Sequence, residues 1–233
     1  MVDRLQGYTD YLESFSRRLS HELKTPVAVV RSSLENMGQT TDPADQASYI
    51  ERARSATDRL SQILQGMSEA ARLEQSFDHA EKETFNLAEV ASQTTLAYQE
   101  LAPDHRIHYV GPASGCQCHG SPELLVQLLD KLVDNARDFT PAQGNIEVRL
   151  AQNARQLELS VFNEGSALPE NLASDIFNPF VSVRTGHQGG HLGQGLLIVR
   201  LIAEHHNGQV MASDDTGGVR FTVLLPSRPR PES

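Results

Sequence analysis

The sequence predicts an all-α helical hairpin followed by an α+β sandwich, in which helices cover one face of a mixed sheet. In the first part of the chain, apolar residues recur at intervals of three and four, which is the period of an amphipathic helix. After Glu83, short alternating stretches typical of strands mix with capped amphipathic helices. We therefore predict a hairpin over residues 1–80, an α+β domain over residues 81–226 and a disordered tail over residues 227–233.

The first helix carries an apolar stripe with the heptad spacing of a coiled coil and one local stutter. Gly38 ends this helix, and Asp42 followed by Pro43 is typical of the start of a second one. One hairpin cannot cover both of its apolar seams, so we predict a homodimer in which two hairpins form a four-helix bundle. The predicted stripes consist of Val2, Leu5, Tyr8, Leu12, Phe15, Leu19, Leu23, Val27, Val30, Leu34 and Met37 in the first helix, and of Ile50, Ala53, Ala56, Leu60, Ile63, Met67 and Ala71 in the second.

The stretch SHELKTP, residues 20–26, departs from a purely structural helix. His21 is turned roughly 200° from the apolar residues two positions before and after it, so its ring is expected to project into solvent. Pro26 leaves the carbonyl of Glu22 without its helical donor and is expected to bend the helix. Glu22 adjoins the imidazole and Thr25 lies one turn further on the same face. The pattern is typical of a reactive histidine, and the structural alternative is an exposed histidine beside a proline without a role.

The second half alternates strands and helices in an order that predicts the sandwich. IHYVG reads as a strand, Ser121 caps an amphipathic helix, and NIEVRLA and QLELSVF alternate as paired strands. A buried helix ending at Gly208 is followed by the strands QVMAS and VRFTVLLP. The segment that precedes this buried helix, residues 163–191, is rich in Gly, Asn, Pro and Ser, and a loop of this length is uncommon in a compact domain unless it acts as a lid.

The composition sets limits on function. A chain of 233 residues is long enough for one large or two small domains, and 39% of its residues are hydrophobic. A net charge of −10 without a long basic run argues against a nucleic-acid-binding protein. No stretch has the apolar length of a membrane span. Cys116 and Cys118 are too close together to join distant elements, which favours a reduced setting and two small structural residues over half of a metal site.

Residues 20–26 resemble the phosphoacceptor box of bacterial two-component sensor histidine kinases. The second half resembles their ATP-binding domain, whose Bergerat-type fold is shared with gyrase, Hsp90 and MutL. The likeness extends from about Leu5 to Pro226, with several motifs in the family's order. Those in the second half are KLVDNARDF, Asn163-Glu164-Gly165, IFNPFVSVR, Gly193-Gln194-Gly195-Leu196 and Gly217-Gly218.

This resemblance implies a protein-histidine kinase. His21 would take the γ-phosphoryl group of ATP on a ring nitrogen, and Glu22 would hold the ring through a hydrogen bond. The phosphoryl group would then pass to an aspartate in the receiver domain of a response regulator, and Thr25 would position a water for the dephosphorylation of that regulator. The resemblance also implies ATP and Mg²⁺, and a parent protein anchored in the inner membrane with this region in the cytoplasm.

By the same resemblance, the second half supplies the nucleotide site. Asn135 would coordinate Mg²⁺ through its neutral amide oxygen, and Asn163 would accept a hydrogen bond from the adenine amino group. The glycine-rich turn would present helix N–H groups to the phosphates. The other residues assigned to this site are Lys131, Gly165, Phe180, Arg184, Gly193, Gly195 and Leu196.

The nucleotide site departs from the family pattern at several positions. Asn163 replaces the usual Asp, so a charge-assisted hydrogen bond becomes a neutral one, about half as strong. Lys131 stands where Asn is usual, and Asp138 where Lys or Arg is common. Ala167 and His191 each replace a glycine. These changes indicate weakened or retuned nucleotide binding.

Lys131 lies four residues before Asn135 on the same helix face, so it can supply the cation that Asp138 does not.

The departures leave open a second interpretation, a nucleotide-weak signalling module that acts as a regulator-binding phosphatase or scaffold. A gyrase-like or chaperone-like ATPase is disfavoured, because those proteins lack the helical hairpin and Lys131 replaces the Glu that is their hydrolytic base.

Overall fold

The structure, a computed structural model, describes residues 2–153, 155–168, 175–178 and 194–227. The chain divides into two compact units, with the boundary in the second helix between Arg72 and Leu73. The predicted domain limits at residues 80 and 226 stay predictions. Within the described ranges, no helix is both long enough and apolar enough to cross a membrane.

Two long helices, α1 from Val2 to Met37 and α2 from Pro43 to Phe77, form the predicted hairpin, and the first unit contains α1 and the part of α2 that ends at Arg72. The Asp42 side chain accepts a hydrogen bond from the N–H of Ala44 at 2.9 Å, so it caps α2 as predicted. Ile63 of α2 is fully buried, and its partly buried apolar neighbours are Leu19, Leu23 and Met67. Apolar contact between the two helices therefore holds the hairpin closed.

The buried seam of α1 differs from the predicted stripe. Pro26 and Ser33 are buried, whereas Val27 and Leu34 are 52% and 53% exposed. On the side of α1 that faces α2, the buried and half-buried residues among those described follow one another at alternating steps of four and three, without a stutter. The helix α1 continues unbroken through Pro26. The positions of this seam are Leu19, Leu23, Pro26, Val30, Ser33 and Met37.

A second apolar row remains exposed on the single hairpin. Val27 and Leu34 lie seven residues apart on α1, and Ile50 and Leu64 lie two heptads apart on α2. Ile50 and Leu64 are 56% and 57% exposed. Ala56 and Ile63 of the predicted α2 stripe are buried, so α2 also divides its apolar residues between two faces.

The second unit is the predicted sandwich of helices on a mixed sheet. Its five-stranded sheet has the order β2-β4-β5-β7-β6, in which β2 pairs with β4 in parallel and the other neighbours are antiparallel. The strands β1 and β3 form a separate antiparallel pair. The elements are β1 (Glu83–Asn86), α3 (Leu87–Leu101), β2 (Arg106–Val110), β3 (Gln117–Gly120), α4 (Pro122–Phe139), β4 (Asn145–Gln152), β5 (Gln156–Glu164), α5 (Gln194–His205), β6 (Gln209–Asp215) and β7 (Gly218–Pro226).

Three of these elements, β1, α3 and β3, were not predicted. Asn86 caps α3 by accepting a hydrogen bond from the N–H of Ala88 at 3.2 Å. Cys118 lies in β3 opposite Phe85, and the carbonyl of Cys116 accepts from the N–H of Leu87. Both cysteines are buried free thiols, and burial raises the pKa of Cys118 to about 11. They are therefore poor nucleophiles.

The central strand β5 shows how the core is built. Its odd-numbered residues are buried, and α4 packs against β5 and β4. The inward residues are Leu157, Leu159, Val161 and Asn163, so the last inward position is polar. Burial of each large apolar side chain contributes about 1.5–3 kcal/mol relative to its exposure.

A buried histidine joins α5 to the start of α4. His206 Nδ1 lies 2.8 Å from the carbonyl oxygen of Ile202, which can only accept, so Nδ1 carries the proton. His206 Nε2 accepts from the backbone N–H of Ser121, the residue that caps α4, at 3.0 Å. A side chain at Gly120 would place its Cβ 2.0 Å from the His206 ring, so glycine is required there. The neutral imidazole therefore bridges two elements.

The neighbouring His205 holds the end of α2 in the second unit. Its ring stacks on Phe77, with ring centroids 4.2 Å apart and an interplanar angle of 16°. Leu73, one turn earlier in α2, is 4% exposed. The last turn of α2 thus belongs to the second unit.

We expect the stability of the second unit to fall in mild acid because of His206. Burial, with the nearby Lys82 and His119, lowers the pKa of His206. As the pH drops below about 6.5, the unfolded chain takes up a proton that the folded chain resists. His206→Ala should lower the free energy of unfolding by about 2 kcal/mol at pH 7.5, because the Ser121 N–H loses its acceptor. It should also make the free energy of unfolding fall less between pH 7.5 and pH 5.5. Urea unfolding at both pH values measures this.

The control for this prediction is His79→Ala, which removes an exposed histidine. It should keep the pH dependence of the unmodified chain. An equal pH dependence in all three proteins would contradict the role given to His206.

Candidate functional site

The predicted reactive histidine lies on the outer surface of α1. His21 is exposed, as expected from its position between Leu19 and Leu23 of the seam. Thr25 is also exposed, and its hydroxyl donates to the backbone carbonyl of His21 at 3.4 Å. One face of α1 therefore presents an imidazole and a hydroxyl one turn apart to solvent.

Glu22 has a different partner from the one expected. Its half-buried carboxylate accepts a hydrogen bond from the guanidinium of Arg59 on α2 at 3.1 Å. Among the described residues, no hydrogen bond joins this carboxylate to the imidazole of His21. A pair this accessible contributes about 0–1 kcal/mol, so its main effect is to fix Glu22 relative to α2. Arg59 carries no sequence signal, because the pair spans 37 positions of the chain.

In the second unit, Asn163 places an unpaired acceptor inside the protein. It lies near the end of β5, between Ile146 of β4 and Val219 of β7, and is 1% exposed. Its Nδ2 donates to the hydroxyl of Ser166 at 2.6 Å. Its Oδ1 is buried and has no hydrogen-bond partner among the described residues. Leaving a buried carbonyl unpaired costs about 1–3 kcal/mol, so this position favours a ligand that brings a donor.

Two predicted glycine motifs meet beside Asn163. Gly165 has φ of +87° and Gly217 has φ of +84°, a conformation that glycine adopts without steric cost. The N–H of Gly165 donates to the carbonyl of Gly217 at 2.8 Å. A Cβ on Gly218 would lie 2.0 Å from the carbonyl oxygen of Asn163. These glycines therefore allow the end of β5 and the turn before β7 to approach closely.

The helix that carries Asn135 lies against the start of α5. Lys131 and Asn135 are half-buried on α4, one turn apart. A Cβ on Gly195, in the first turn of α5, would lie 3.9 Å from the Cβ of Lys131, an ordinary contact. The backbone of this first turn therefore lies beside the helix face that was predicted to hold the phosphates and Mg²⁺.

An acidic row follows the neighbouring face of α4. Asp130, Asp134 and Asp138 recur every four residues. Burial and the nearby Asp134 raise the pKa of Asp130, whose carboxylate accepts a hydrogen bond from the hydroxyl of Tyr98. Asp134 is paired with Arg137 at 3.5 Å. This row gives α4 a negative field beside the face that carries Lys131 and Asn135.

The remaining predicted residues are distributed as follows. Leu196 in α5 is 4% exposed, so its side chain belongs to the hydrophobic core. Asp138 and Ala167 are exposed. In the described part of the chain, no group of three or more His, Cys, Asp and Glu side chains is arranged to hold a metal. Four residues fall outside the described ranges, namely Phe180, Arg184, His191 and Gly193.

Sequence reasoning missed two residues of the site, for which the sequence carries a weak signal or none. Arg59 becomes relevant only through its contact with Glu22, and Ser166 through its contact with Asn163. Ser166 adjoins the Asn163-Glu164-Gly165 motif, and a hydroxyl beside an Asn in a turn is the weak sign that could have drawn attention to it.

Comparison with known families accounts for both halves of the chain. Residues 11–76 match the model of the His Kinase A (phospho-acceptor) domain. Residues 120–229 match the model described as histidine kinase-, DNA gyrase B- and HSP90-like ATPase. The two matches include His21 and Asn163, the residues whose geometry is described above.

Individual relatives agree with these two matches. The chain is 26% identical to the sensor histidine kinase CusS of Escherichia coli strain K12 over 97% of its own length and 48% of that protein. It is 29% identical to the sensor protein CutS of Streptomyces coelicolor over 97% of its own length and 55% of that protein. The chain thus spans about half the length of the curated relatives that it matches.

A solved structure shows the same fold. The histidine kinase ThkA, crystallised in complex with the response regulator protein TrrA, superposes with a TM-score of 0.62 at 22% sequence identity. The match covers 97% of this chain and 65% of the ThkA chain.

Proposed function

We propose that this chain, which belongs to the two-component sensor histidine kinases, phosphorylates itself on His21 and passes the phosphoryl group to an aspartate of a response-regulator receiver domain. The observation that carries the proposal is the exposed His21 of α1, inside the residues that match the phospho-acceptor domain. Exposure is necessary, because the same imidazole must reach both a nucleotide and the aspartate of a partner protein.

The chemistry at His21 requires few groups. A neutral imidazole carries a lone pair on one ring nitrogen, which attacks the γ-phosphorus of ATP while the bond to the bridging oxygen breaks and ADP leaves. Positioning and charge stabilisation contribute most of the catalysis of phosphoryl transfer. Glu22, fixed by Arg59 at 3.1 Å, supplies a negative charge next to the imidazole in sequence.

The nucleotide would be held by the second unit. The buried Oδ1 of Asn163, which has no partner among the residues that the structure describes, is suited to accept a hydrogen bond from the 6-amino group of adenine. Asn135 offers an amide oxygen for Mg²⁺, a hard cation that prefers oxygen ligands and keeps several waters and phosphate oxygens. Bound Mg²⁺ would neutralise charge on the phosphates, and Lys131 would add a further positive charge from the same helix face.

The hairpin would act as a homodimer. Its exposed apolar row, Val27 and Leu34 on α1 with Ile50 and Leu64 on α2, has the heptad spacing of a second helix–helix seam. Two copies related by a twofold axis can cover this row in a four-helix bundle.

Labelling with γ-phosphate-labelled ATP tests the kinase. We expect acid-labile label on the unmodified chain, no label when His21→Gln removes the nucleophile, and no label when EDTA removes Mg²⁺. His79→Gln is the control, since it removes another exposed histidine outside α1 and should be labelled normally. The labelled chain, mixed with each receiver domain of the source organism in turn, should lose its label fastest to the partner.

The alternative function is a nucleotide-weak module that binds the regulator and dephosphorylates it. The neutral Asn163 and the exposed Asp138 favour this alternative. Absence of label on the unmodified chain, with dephosphorylation of a receiver domain retained, would decide for it and against the kinase.

Thr25 gives a separate prediction about the phosphatase reaction. We expect Thr25→Ala to slow dephosphorylation of the partner receiver domain by about tenfold or more, because the hydroxyl would orient the attacking water. Thr57→Ala is a matched control, since Thr57 is an exposed α2 residue whose hydroxyl also donates to a carbonyl one turn earlier, that of Ala53. Equal rates for the two variants would exclude this role, while labelling of His21 should be unchanged in both.

Sedimentation equilibrium tests the dimer. Leu34→Glu places a charge in the exposed apolar row and should convert the dimer to a monomer. Val29→Glu is the control, because Val29 is 37% exposed and is turned roughly 200° from Val27. A monomeric unmodified chain, or equal masses for both variants, would be incompatible with the proposed seam.

A further inference from the structure

The amide of Asn163 can be satisfied in two orientations. Its NH₂ group donates to Ser166 Oγ at 2.6 Å, and its oxygen is unpaired within the described part of the chain. A hydroxyl group both donates and accepts, so Ser166 can equally donate to the amide oxygen. Rotation by 180° about the last side-chain bond exchanges the two ends of the amide at almost no change in shape.

Nothing else in the described surroundings fixes the amide. Its neighbours across the sheet are Ile146 and Val219, whose side chains cannot form hydrogen bonds. Ser166 is the one described hydrogen-bond partner of the Asn163 side chain. The ligand can therefore determine which end of the amide faces it.

From this geometry we infer that Asn163 makes the nucleotide site tolerant of the group at position 6 of the purine. Nucleotides of 6-oxopurines are then expected to bind with an affinity close to that of adenine nucleotides. The inference rests on the proposed nucleotide-binding function. With the oxygen facing the ligand, Asn163 accepts from the 6-amino group of adenine. With the NH₂ group facing it, Asn163 donates to the 6-oxo group of hypoxanthine or guanine, and Ser166 satisfies the other end in both cases.

A carboxylate at this position would not have this freedom. An ionised Asp offers only acceptors, so it pairs with the 6-amino group but faces a 6-oxo group acceptor to acceptor. A buried mismatch of this kind rejects the wrong ligand by about tenfold or more. The amide therefore gives up a charge-assisted bond to adenine and gains the ability to accept either base.

Calorimetric titration of the full chain with ADP, IDP and GDP in the presence of Mg²⁺ tests the inference. Diphosphates cannot donate a γ-phosphoryl group, so binding is measured without turnover. We expect IDP or GDP to bind within about tenfold of ADP, and Asn163→Asp to increase the preference for ADP by about tenfold or more. Asn153→Asp is the control, because the exposed Asn153 side chain accepts hydrogen bonds from the backbone N–H groups of Arg155 and Gln156, and an Asp can accept both.

The outcomes separate this inference from the function on which it rests. A preference of tenfold or more for ADP over both IDP and GDP in the unmodified chain would overturn the inference and leave the kinase intact, and this result does not depend on the folding of Asn163→Asp. An unchanged preference in a folded Asn163→Asp protein would show that Asn163 does not read the base. Failure of ADP itself to bind would overturn the proposed nucleotide site, and the inference with it.

Discussion

A buried hydrogen-bond acceptor without a donor destabilises a protein by about 1–3 kcal/mol, and among the described residues the central strand of the second unit carries such a group near its end. Three apolar residues, Leu157, Leu159 and Val161, precede it on the inward face of β5, and an apolar fourth residue would complete an ordinary core. Asn163 stands there instead, with one end of its amide satisfied by Ser166. This cost is understandable if a ligand pairs with the other end of the amide, so that binding satisfies the group that folding leaves unpaired.

The sequence could predict those features that depend on local pattern. The cap of α2 at Asp42, the cap of α4 at Ser121 and the antiparallel pairing of β4 with β5 depend on residues close together in the chain. The α3 helix was missed because its buried residues include two alanines and Thr95, which give a weak apolar signal. The strands β1 and β3 are four residues long, too short for alternation to be recognised.

Two residues of the predicted α1 stripe, Val27 and Leu34, lie outside the seam with α2 for a physical reason. The apolar residues of α1 serve two faces, and hydrophobicity alone does not show which of them faces the partner helix of the same hairpin. Val27 and Leu34 are more apolar than Ser33, yet Ser33 is buried in the seam with α2. The candidate site has the same limit. Motifs in the sequence single out Asn163 and His21, but a contact such as that of Glu22 with Arg59 depends on how distant segments of the chain pack. A seam that contains Pro26 and Ser33 is weakly apolar, so covering the second row, at about 1.5–3 kcal/mol per large side chain, would contribute much of the hairpin's stability.

The stacking of Phe77 on His205 has a practical consequence for dissecting the protein. Leu73 and Phe77 lie in a helix of the hairpin but pack within the second unit. A nucleotide-binding half expressed on its own should therefore begin before Leu73. A fragment that starts at Glu81 would leave the face of His205 open to water, and would be expected to aggregate or to be cleaved by proteases more readily than the longer piece.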